Sequence, residues 1–344
     1  MKRSLLAPNR SAPAAIILIG IIAAVFSLGS CSRGDYSGRM ESITIGTMFN
    51  AQDALLLIAD EQGFFSANGL KVTIKKYDTG CAATDAMING EVDLARANEF
   101  VVVEKTLQQG QISVLTTYCK TESISLVGRK DRGIEKIPDL KGKRIGLASG
   151  TVTEFYLGRF LDLHGMSLRD ITIVDMKRTR MVDAFSAGDI DACIDGQLFV
   201  YPIRQRQGDR VVVWPAQSSQ LQYVLLVGMH DWIAHHSELI KRLLSSLARA
   251  EAYVVRHTAE TKAILQKRLR YDDAFMADSW PKHQFSLSLD QSLILAMEDE
   301  ARWMIGNNLT SEKQVPDFLS YIYIRGLEAV KPEAMNIIRG RDLP

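Results

Sequence analysis

The sequence predicts an α/β protein built as two similar lobes, and three observations carry that prediction. Its 344 residues suit two domains of ordinary size rather than one small one. Short β-branched runs alternate with helical stretches closed by glycine, the pattern of a largely parallel sheet with helices on its faces. The alternation then occurs a second time in the same order, beginning about 100 residues later.

In the first module, Ile43–Gly46 reads as a strand, Ala51–Phe65 as a helix closed by Gly63 and Lys71–Tyr77 as a half-buried strand. Ala82–Asn89 reads as a short helix ended by Gly90, and Val92–Ala95 as a brief strand. In the second module, Gly142–Leu147, Asp170–Met176 and Ile190–Ile194 read as strands. Helices at Thr151–His164 and Arg180–Ala187, closed by Gly165 and Gly188, separate them. The apolar runs Ser123–Arg129 and Gln222–Gly228 follow the two modules and read as crossings between lobes, which makes the first lobe discontinuous. Beyond them the chain reads as helix at Ile240–Val255, Ala259–Leu269, Leu289–Ile305 and Val315–Leu327.

With 47% hydrophobic and 24% charged residues, the chain has the composition of a packed globular protein, not a disordered one. Its 41 basic against 40 acidic residues create no field that would draw in nucleic acid. Lys2, Arg3 and Arg10, with no acid among them, precede an apolar run from Ala14 to Phe26 and then Ser27-Leu28-Gly29-Ser30-Cys31. This is the layout of a secretory signal over residues 1–30, and its apolar run is short of the ~20 residues of a spanning helix. Leu28–Cys31 resembles the bacterial lipobox, whose Cys is lipidated; a plain signal peptide with an incidental Cys is the alternative. Acyl chains on Cys31 would anchor the protein to a membrane, and residues 31–41, polar with two glycines, read as the tether. Cys81, Cys119 and Cys193 remain, an odd number that allows at most one disulfide, at spacings that fit no zinc site.

In open α/β sheets ligands bind beyond the carboxyl ends of the strands. The candidate residues there are Asn50, Gln52 and Asp53; Asp78, Thr79 and Gly80; Asn98 and Glu99; Ser149, Gly150 and Thr151; Asp195 and Gln197. The clearest local signal is Gly146–Glu154, where a strand runs through small residues into a helix whose N-terminus attracts anions. Thr151 and Glu154 have the T-x-x-E spacing of a capping box, which leaves the N–H groups of Val152 and Thr153 for a ligand. Each loop alone is also an ordinary cap or turn. Asp53, Asp78, Glu99 and Asp195 make the loops acidic, so the expected ligand has an anionic end toward Thr151 and a donor or cationic end toward a carboxylate. Lys177–Arg180 reads as a solvated loop, His235-His236 as a solvent-facing helix start, and Trp214, Trp232, Trp280 and Trp303 as core packing. The sequence has no G-x-S-x-G, H-E-x-x-H or P-loop lysine, so nothing proposes a nucleophile, a metal or a cofactor.

Four stretches in this order carry a resemblance: Ala54–Gly69 "ALLLIADEQGFFSANG", "DAMINGEVDLA", "IPDLKGKRIGLASGT" and "DAFSAGDIDACID"; the tail "AVKPEAMNII" adds to it. Over about residues 42–337 the chain resembles the substrate-binding proteins of ATP-driven importers for nitrate, alkanesulfonates and taurine, which share a fold with thiamine-pyrimidine synthases. The resemblance implies a type II periplasmic-binding fold, with lobe I from 42–125 plus 226–344, lobe II from 126–225 and a two-strand hinge. It places the ligand at the loops named above and implies ABC permease and ATPase partners, no cofactor and no catalysis. Asn50-Ala51-Gln52-Asp53 stands where many relatives have a Pro, and Gly196-Gln197 stands where an acidic-Pro pair is frequent. The expected ligand is a sulfonate, a taurine-like zwitterion, nitrate or an amine-bearing heterocycle, and the acidic loops favour a zwitterion or an amine-bearing heterocycle over nitrate. The alternatives on the same fold are a pyrimidine- or menaquinone-precursor synthase, although the C-C-C-F-C stretch of the pyrimidine synthases is absent, and a lipid-anchored ligand sensor.

Overall fold

The computed structural model describes residues 38–338; the predicted signal segment and Cys31 lie outside them. The chain lays down β1 (Glu41–Thr47), β2 (Leu70–Lys76), β3 (Leu94–Asn98) and β4 (Ile112–Thr121), then β5 (Ser125–Arg129), β6 (Arg144–Leu147), β7 (Thr172–Asp175), β8 (Ala192–Asp195) and β9 (Val211–Pro215). It closes with β10 (Gln222–Met229) and β11 (His283–Gln284). These strands form a six-stranded sheet in the order β11-β4-β10-β3-β1-β2 and a five-stranded sheet in the order β7-β6-β8-β5-β9. Leaving β11 aside, the two orders are the same. In each, three parallel strands come from a β-α-β-α-β unit, and the next strand, β10 or β5, runs antiparallel to them. The architecture is therefore two α/β lobes of the periplasmic-binding-protein type.

The helices that matter for the site are α1 (Ala54–Glu61), α2 (Gly80–Ile88), α3 (Glu99–Leu107), α4 (Val152–Leu163), α5 (Met181–Ala187), α6 (Gln197–Gln207), α7 (Ser237–Arg256), α8 (Asp273–Ser279) and α9 (Gln291–Gly306). The run Leu55–Ala59 of α1 is buried throughout, since the helix lies between the larger sheet and α7. Helix α7 turns one stripe inward, with Leu239, Ile240, Leu243, Leu244 and Leu247 at the 3–4 residue spacing of an amphipathic helix. At the back of the molecule Phe100 of α3, Phe155 of α4 and Trp303 of α9 form one aromatic cluster, with centroids 5.5–6.3 Å apart. Two carboxyls, Glu99 and Glu300, are fully buried in the same region, and both oxygens of Glu300 lack a hydrogen-bond partner.

The chain passes between the sheets at residues 122–124 and 216–221; the first passage takes in Ser123 and Ile124 of the run expected to cross, whose remainder is β5, and the second ends where the other run, within β10, begins. Gln217, 2% exposed, binds the two passages together. Its amide oxygen accepts from the N–H groups of Ser123 (2.6 Å) and Ile124 (2.8 Å), and its nitrogen donates to the carbonyls of Thr121 (3.0 Å) and Gln220 (2.9 Å).

Several expectations need correction. The helix expected over Ala51–Phe65 is broken at Gly63, whose φ of +67° no helical residue adopts. Val315–Leu327 is not one helix but a short turn at Phe318–Tyr321 followed by Ile324–Glu328. The sheets are mixed rather than largely parallel. Of the pair read as a helix start, His235 closes the helix His230–His235, whereas His236 does stand at the N-cap of α7. Helices α3, α6 and α8 and strands β4 and β9 had no counterpart in the sequence reading. The three cysteines after residue 37 are all free, and the four tryptophans pack against the core as expected.

Candidate functional site

A cleft of about 760 Å³, open to solvent, lies between the two sheets at the carboxyl ends of their strands. Helix N-termini converge on it from both sides. On the larger sheet, the side-chain oxygen of Asn50 accepts from the Gln52 N–H at the turn leading into α1, Thr79 accepts from Ala82 N–H at α2, and Asn98 accepts from Val101 N–H at α3, each at 3.0 Å. With their oxygens so used, the amide nitrogens of Asn50 and Asn98 have no partner among the described residues and remain donors at the cleft wall. On the smaller sheet, Thr151, Val152 and Thr153 bring the first turn of α4 to the cleft, and Gly196 with Gln197 brings that of α6. Exposed N–H groups and the positive helix ends make such a convergence favourable for an anion.

Two guanidinium groups add to it. Arg96 lies within β3, lines the cleft and is 2% exposed. Its terminal nitrogens meet Met48 Sδ and Gln52 Oε1, while Nε is 4.0 Å from Asp53 and has no hydrogen-bond partner. Arg178 grips Asp195 with two nitrogens, Nε to Oδ2 at 2.9 Å and Nη2 to Oδ1, and lies 4.6 Å from the centre of the Phe199 ring.

The carboxylates fall elsewhere than the sequence implied. Asp53 is fully buried beneath the cleft, where it accepts from Asn50 N–H (3.1 Å) and the Tyr118 hydroxyl (2.8 Å). Burial pushes its pKa above the usual range, against the pull of Arg96 and Tyr118. Glu99 is buried behind the wall, accepts from Tyr223 N–H at 2.9 Å, and is pushed up to about 8 by burial. Asp78 is exposed and off the cleft. Asp195 is the one carboxylate among the lining residues described, and its charge is met by Arg178. The expected carboxylate for a ligand cation is therefore not there.

Of the other predicted residues, Asn50, Gln52, Thr79, Gly80, Asn98, Thr151 and Gln197 line the cleft, and Ser149 and Gly150 do not. The capping box at α4 does not form. Thr151 Oγ1 turns back to the Ala148 carbonyl (2.7 Å), and Glu154 takes the Gly150 N–H (2.9 Å) instead of that of Thr151, so this carboxylate is occupied one residue upstream.

A roof that the sequence reading missed completes the site. Tyr271, Phe275, Ser279 and His283 recur every four residues and all line the cleft. Helix α6 fastens to this segment across the opening. The Gln197 amide, oriented so that both ends are satisfied, donates to Asp278 Oδ2 (2.9 Å) and accepts from Lys282 Nζ (3.2 Å). Arg204 reaches Asp278 at 3.3 Å, and the Tyr201 ring meets Phe275 edge-on at 5.4 Å. Arg178 lies in a run that reads from sequence as a solvated loop, and the signal for Arg96 is a lone Arg amid the small residues of a buried strand.

The arrangement can hold a small anion with an apolar body. Cys81, the thiol at the cleft, is pushed up to about 11 by burial and by the Glu104 carboxylate, and so is held as the unreactive thiol. Among the described residues no cluster of three His, Cys, Asp or Glu is placed to hold a metal ion, and no helix is long and apolar enough to cross a membrane.

The alkanesulfonate-binding protein SsuA of Xanthomonas axonopodis pv. citri, solved bound to MOPS, has the same fold, with a TM-score of 0.73 and 17% identity over 83% of this chain and 99% of that one. The taurine-binding periplasmic protein of Escherichia coli K12 is 24% identical over 222 residues, 63% of this chain and 67% of that protein. The 4-amino-5-hydroxymethyl-2-methylpyrimidine phosphate synthase of Aspergillus parasiticus is 23% identical over 235 residues, 64% of this chain and 68% of that one. The family model described as NMT1/THI5 like matches residues 50–261. With that match spanning more than half its length, and with two lobes closing on an anion-favouring cleft, the chain belongs to the NMT1/THI5-like family.

Proposed function

We propose that this protein is the exported solute-binding component of an ABC importer, and that it captures a small organic oxyanion of the sulfonate class for delivery to the permease. The observation that carries this reading is the convergence of helix N-termini with Arg96 and Arg178 on a cleft whose one lining carboxylate is already paired. An oxyanion seats against Arg96 and the wall formed by Asn50, Thr79, Asn98 and Thr151, with its carbon body against Tyr271 and Phe275. This revises the ligand expected from the acidic loops: a monoanion fits, and an ammonium has no free carboxylate to meet. The sulfonate- and taurine-binding names of the relatives support the same class.

The two lobes, divided at the passages 122–124 and 216–221 rather than at 125/126 and 225/226, close on the ligand by rotation about those passages, which Gln217 joins, and the ligand leaves unchanged. The mature chain starts at lipidated Cys31 and is held at the outer face of the cytoplasmic membrane or in the periplasm. A pyrimidine-synthase role has a relative in its favour, but the C-C-C-F-C stretch of the pyrimidine synthases is absent from this sequence.

The test is calorimetry with an alkanesulfonate series on the wild type and Arg96→Met. The wild type binds in the micromolar range or better, and the variant loses about 10- to 100-fold, the size expected for one charge-assisted contact. Equal binding by both, or recovery of a converted ligand after long incubation, would overturn the reading. Mass spectrometry of the membrane fraction checks the acylated Cys31 terminus.

A further inference from the structure

We propose that Ser279 and His283 form an uncharged polar subsite in the roof of the cleft, which takes a neutral hydrogen-bonding group at the end of the ligand far from its oxyanion. The proposal rests on the oxyanion reading above and adds what the rest of the ligand must be.

Four residues apart, the two side chains share one face of the segment that closes the cleft. Ser279 is 2% exposed, yet its hydroxyl has no partner among the described residues and its side chain lines the cleft. With no protein partner on an open cleft wall, this hydroxyl is free to bond a ligand group in place of water. His283 points Nδ1 at the Ser279 carbonyl, 2.8 Å away, so Nδ1 carries the proton and Nε2 is left as a bare acceptor. The ring lies parallel to Phe285, 5.7 Å away at an interplanar angle of 3°, which fixes its orientation. Burial, with Lys282 beside it, pushes the imidazole down to about 4, so it is neutral at physiological pH.

The surrounding charges exclude a cation as the preferred occupant. The nearest roof carboxylate, Asp278, is held by Lys282 at 2.8 Å and Arg204 at 3.3 Å, and the Gln197 amide takes its other face. An ammonium here would meet the Lys282 charge with no uncompensated anion, whereas a hydroxyl or amide can donate to His283 Nε2 and exchange a hydrogen bond with Ser279. A site built to hydrogen-bond a group discriminates against the analogue that lacks it.

Three sulfonates of similar length separate the possibilities by calorimetry at pH 7.5: 3-hydroxypropane-1-sulfonate, butane-1-sulfonate and 3-aminopropane-1-sulfonate. The wild type is expected to bind the hydroxyl compound about three- to tenfold more tightly than either of the others, the yield of one recovered hydrogen bond. Ser279→Ala and His283→Phe, the latter keeping a ring against Phe285, should each bring the hydroxyl-to-butane affinity ratio toward one. Because the readout is a ratio within one protein sample, a general loss of folded protein does not mimic it. Equal affinity for the hydroxyl and butane compounds, a ratio unmoved by both variants, or tightest binding of the amino compound would overturn the subsite while leaving the oxyanion reading standing. No binding of any of the three would sink the oxyanion reading, and the subsite with it.

Discussion

Replacing Asp195 by Asn removes one charge and almost no volume from the cleft wall, and it should move stability and binding in opposite directions. Asp195 is 1% exposed and holds Arg178 through both carboxylate oxygens. Neutralising one partner of a sealed ion pair costs about 3–5 kcal/mol, because the other charge is left unmet. The Arg178 side chain is 17% exposed, and Asn keeps an oxygen for the Gly196 N–H, so the cost here should be about 2–3 kcal/mol. That is a fall in Tm of roughly 3–5 °C for a chain of this size. Binding responds the other way, since the carboxylate both repels an incoming oxyanion and competes with it for the guanidinium. At a separation of about 6 Å and an effective dielectric of about 20 the repulsion is ~3 kcal/mol, part of which is lost again as Arg178 becomes less well positioned. The expected outcome is a less stable apoprotein that binds alkanesulfonates about three- to thirtyfold more tightly. Calorimetry gives the affinity, and thermal unfolding should show a larger ligand-induced rise in Tm for the variant than for the wild type. Weaker alkanesulfonate binding by Asp195→Asn would refute the reasoning, because it would mean that the carboxylate helps hold the ligand.

Three further outcomes follow from buried groups. Gly158→Ala would put a Cβ 2.5 Å from Trp303 Cζ2 and 2.8 Å from its Nε1, so denaturant unfolding should show a loss of about 1–3 kcal/mol; an unchanged midpoint would mean that Trp303 moves freely. Glu99 and Glu300 are raised from 4.5 by burial, Glu99 to about 8, so the folded state keeps protons that the unfolded chain releases. The contribution of Glu99 to stability is therefore greatest below about 4.5 and is lost as pH rises toward about 8, at up to ~1.4 kcal/mol per unit, and that of Glu300 falls in the same direction. Glu300→Gln should flatten that decline and be the more stable protein at pH 8, and a parallel decline in wild type and variant would count against it. Cys81 alone among the described thiols is half-buried, so alkylation read by mass spectrometry should find it first, slowly, and more slowly still with an alkanesulfonate bound; prior labelling of Cys119 or Cys193 would contradict the packing.

What the sequence made legible was periodicity. The three parallel strands of each sheet and the helices between them announce themselves through β-branched alternation and terminal glycines, and the second copy reinforces the first. Helix α3 and strand β4 escaped because Glu99–Val103 and Ile112–Tyr118 are buried at every residue, polar members such as Glu99, Ser113, Thr116 and Thr117 included, which leaves no inside-outside period to read. In the site, loop positions were legible and side-chain directions were not. Asp53 and Asp195 sit in the right loops, but composition does not tell that one turns inward to Tyr118 and the other is taken by Arg178. Arg178 was hidden in a run of basic residues that reads as solvated. The roof had a signal, Tyr271-x3-Phe275-x3-Ser279-x3-His283, but its four-residue spacing spans a helix, a turn and a strand start, so no single element advertised it.

The place of β10 in the larger sheet sets the order in which a nascent chain can fold. β10 lies between β3 and β4, pairing with β4 along its whole length and with β3 over Val224–Gly228, yet a hundred residues separate it from β4. Until residue 229 emerges, β3 presents an unpaired edge and β4 has no partner strand at all, whereas the five strands of the smaller sheet, all within residues 125–215, can already pair among themselves. Synthesis therefore yields the second lobe before the first, with an open edge and an unpaired strand waiting for one late partner. In that interval the chain is most in need of a chaperone and most open to mispairing with its neighbours.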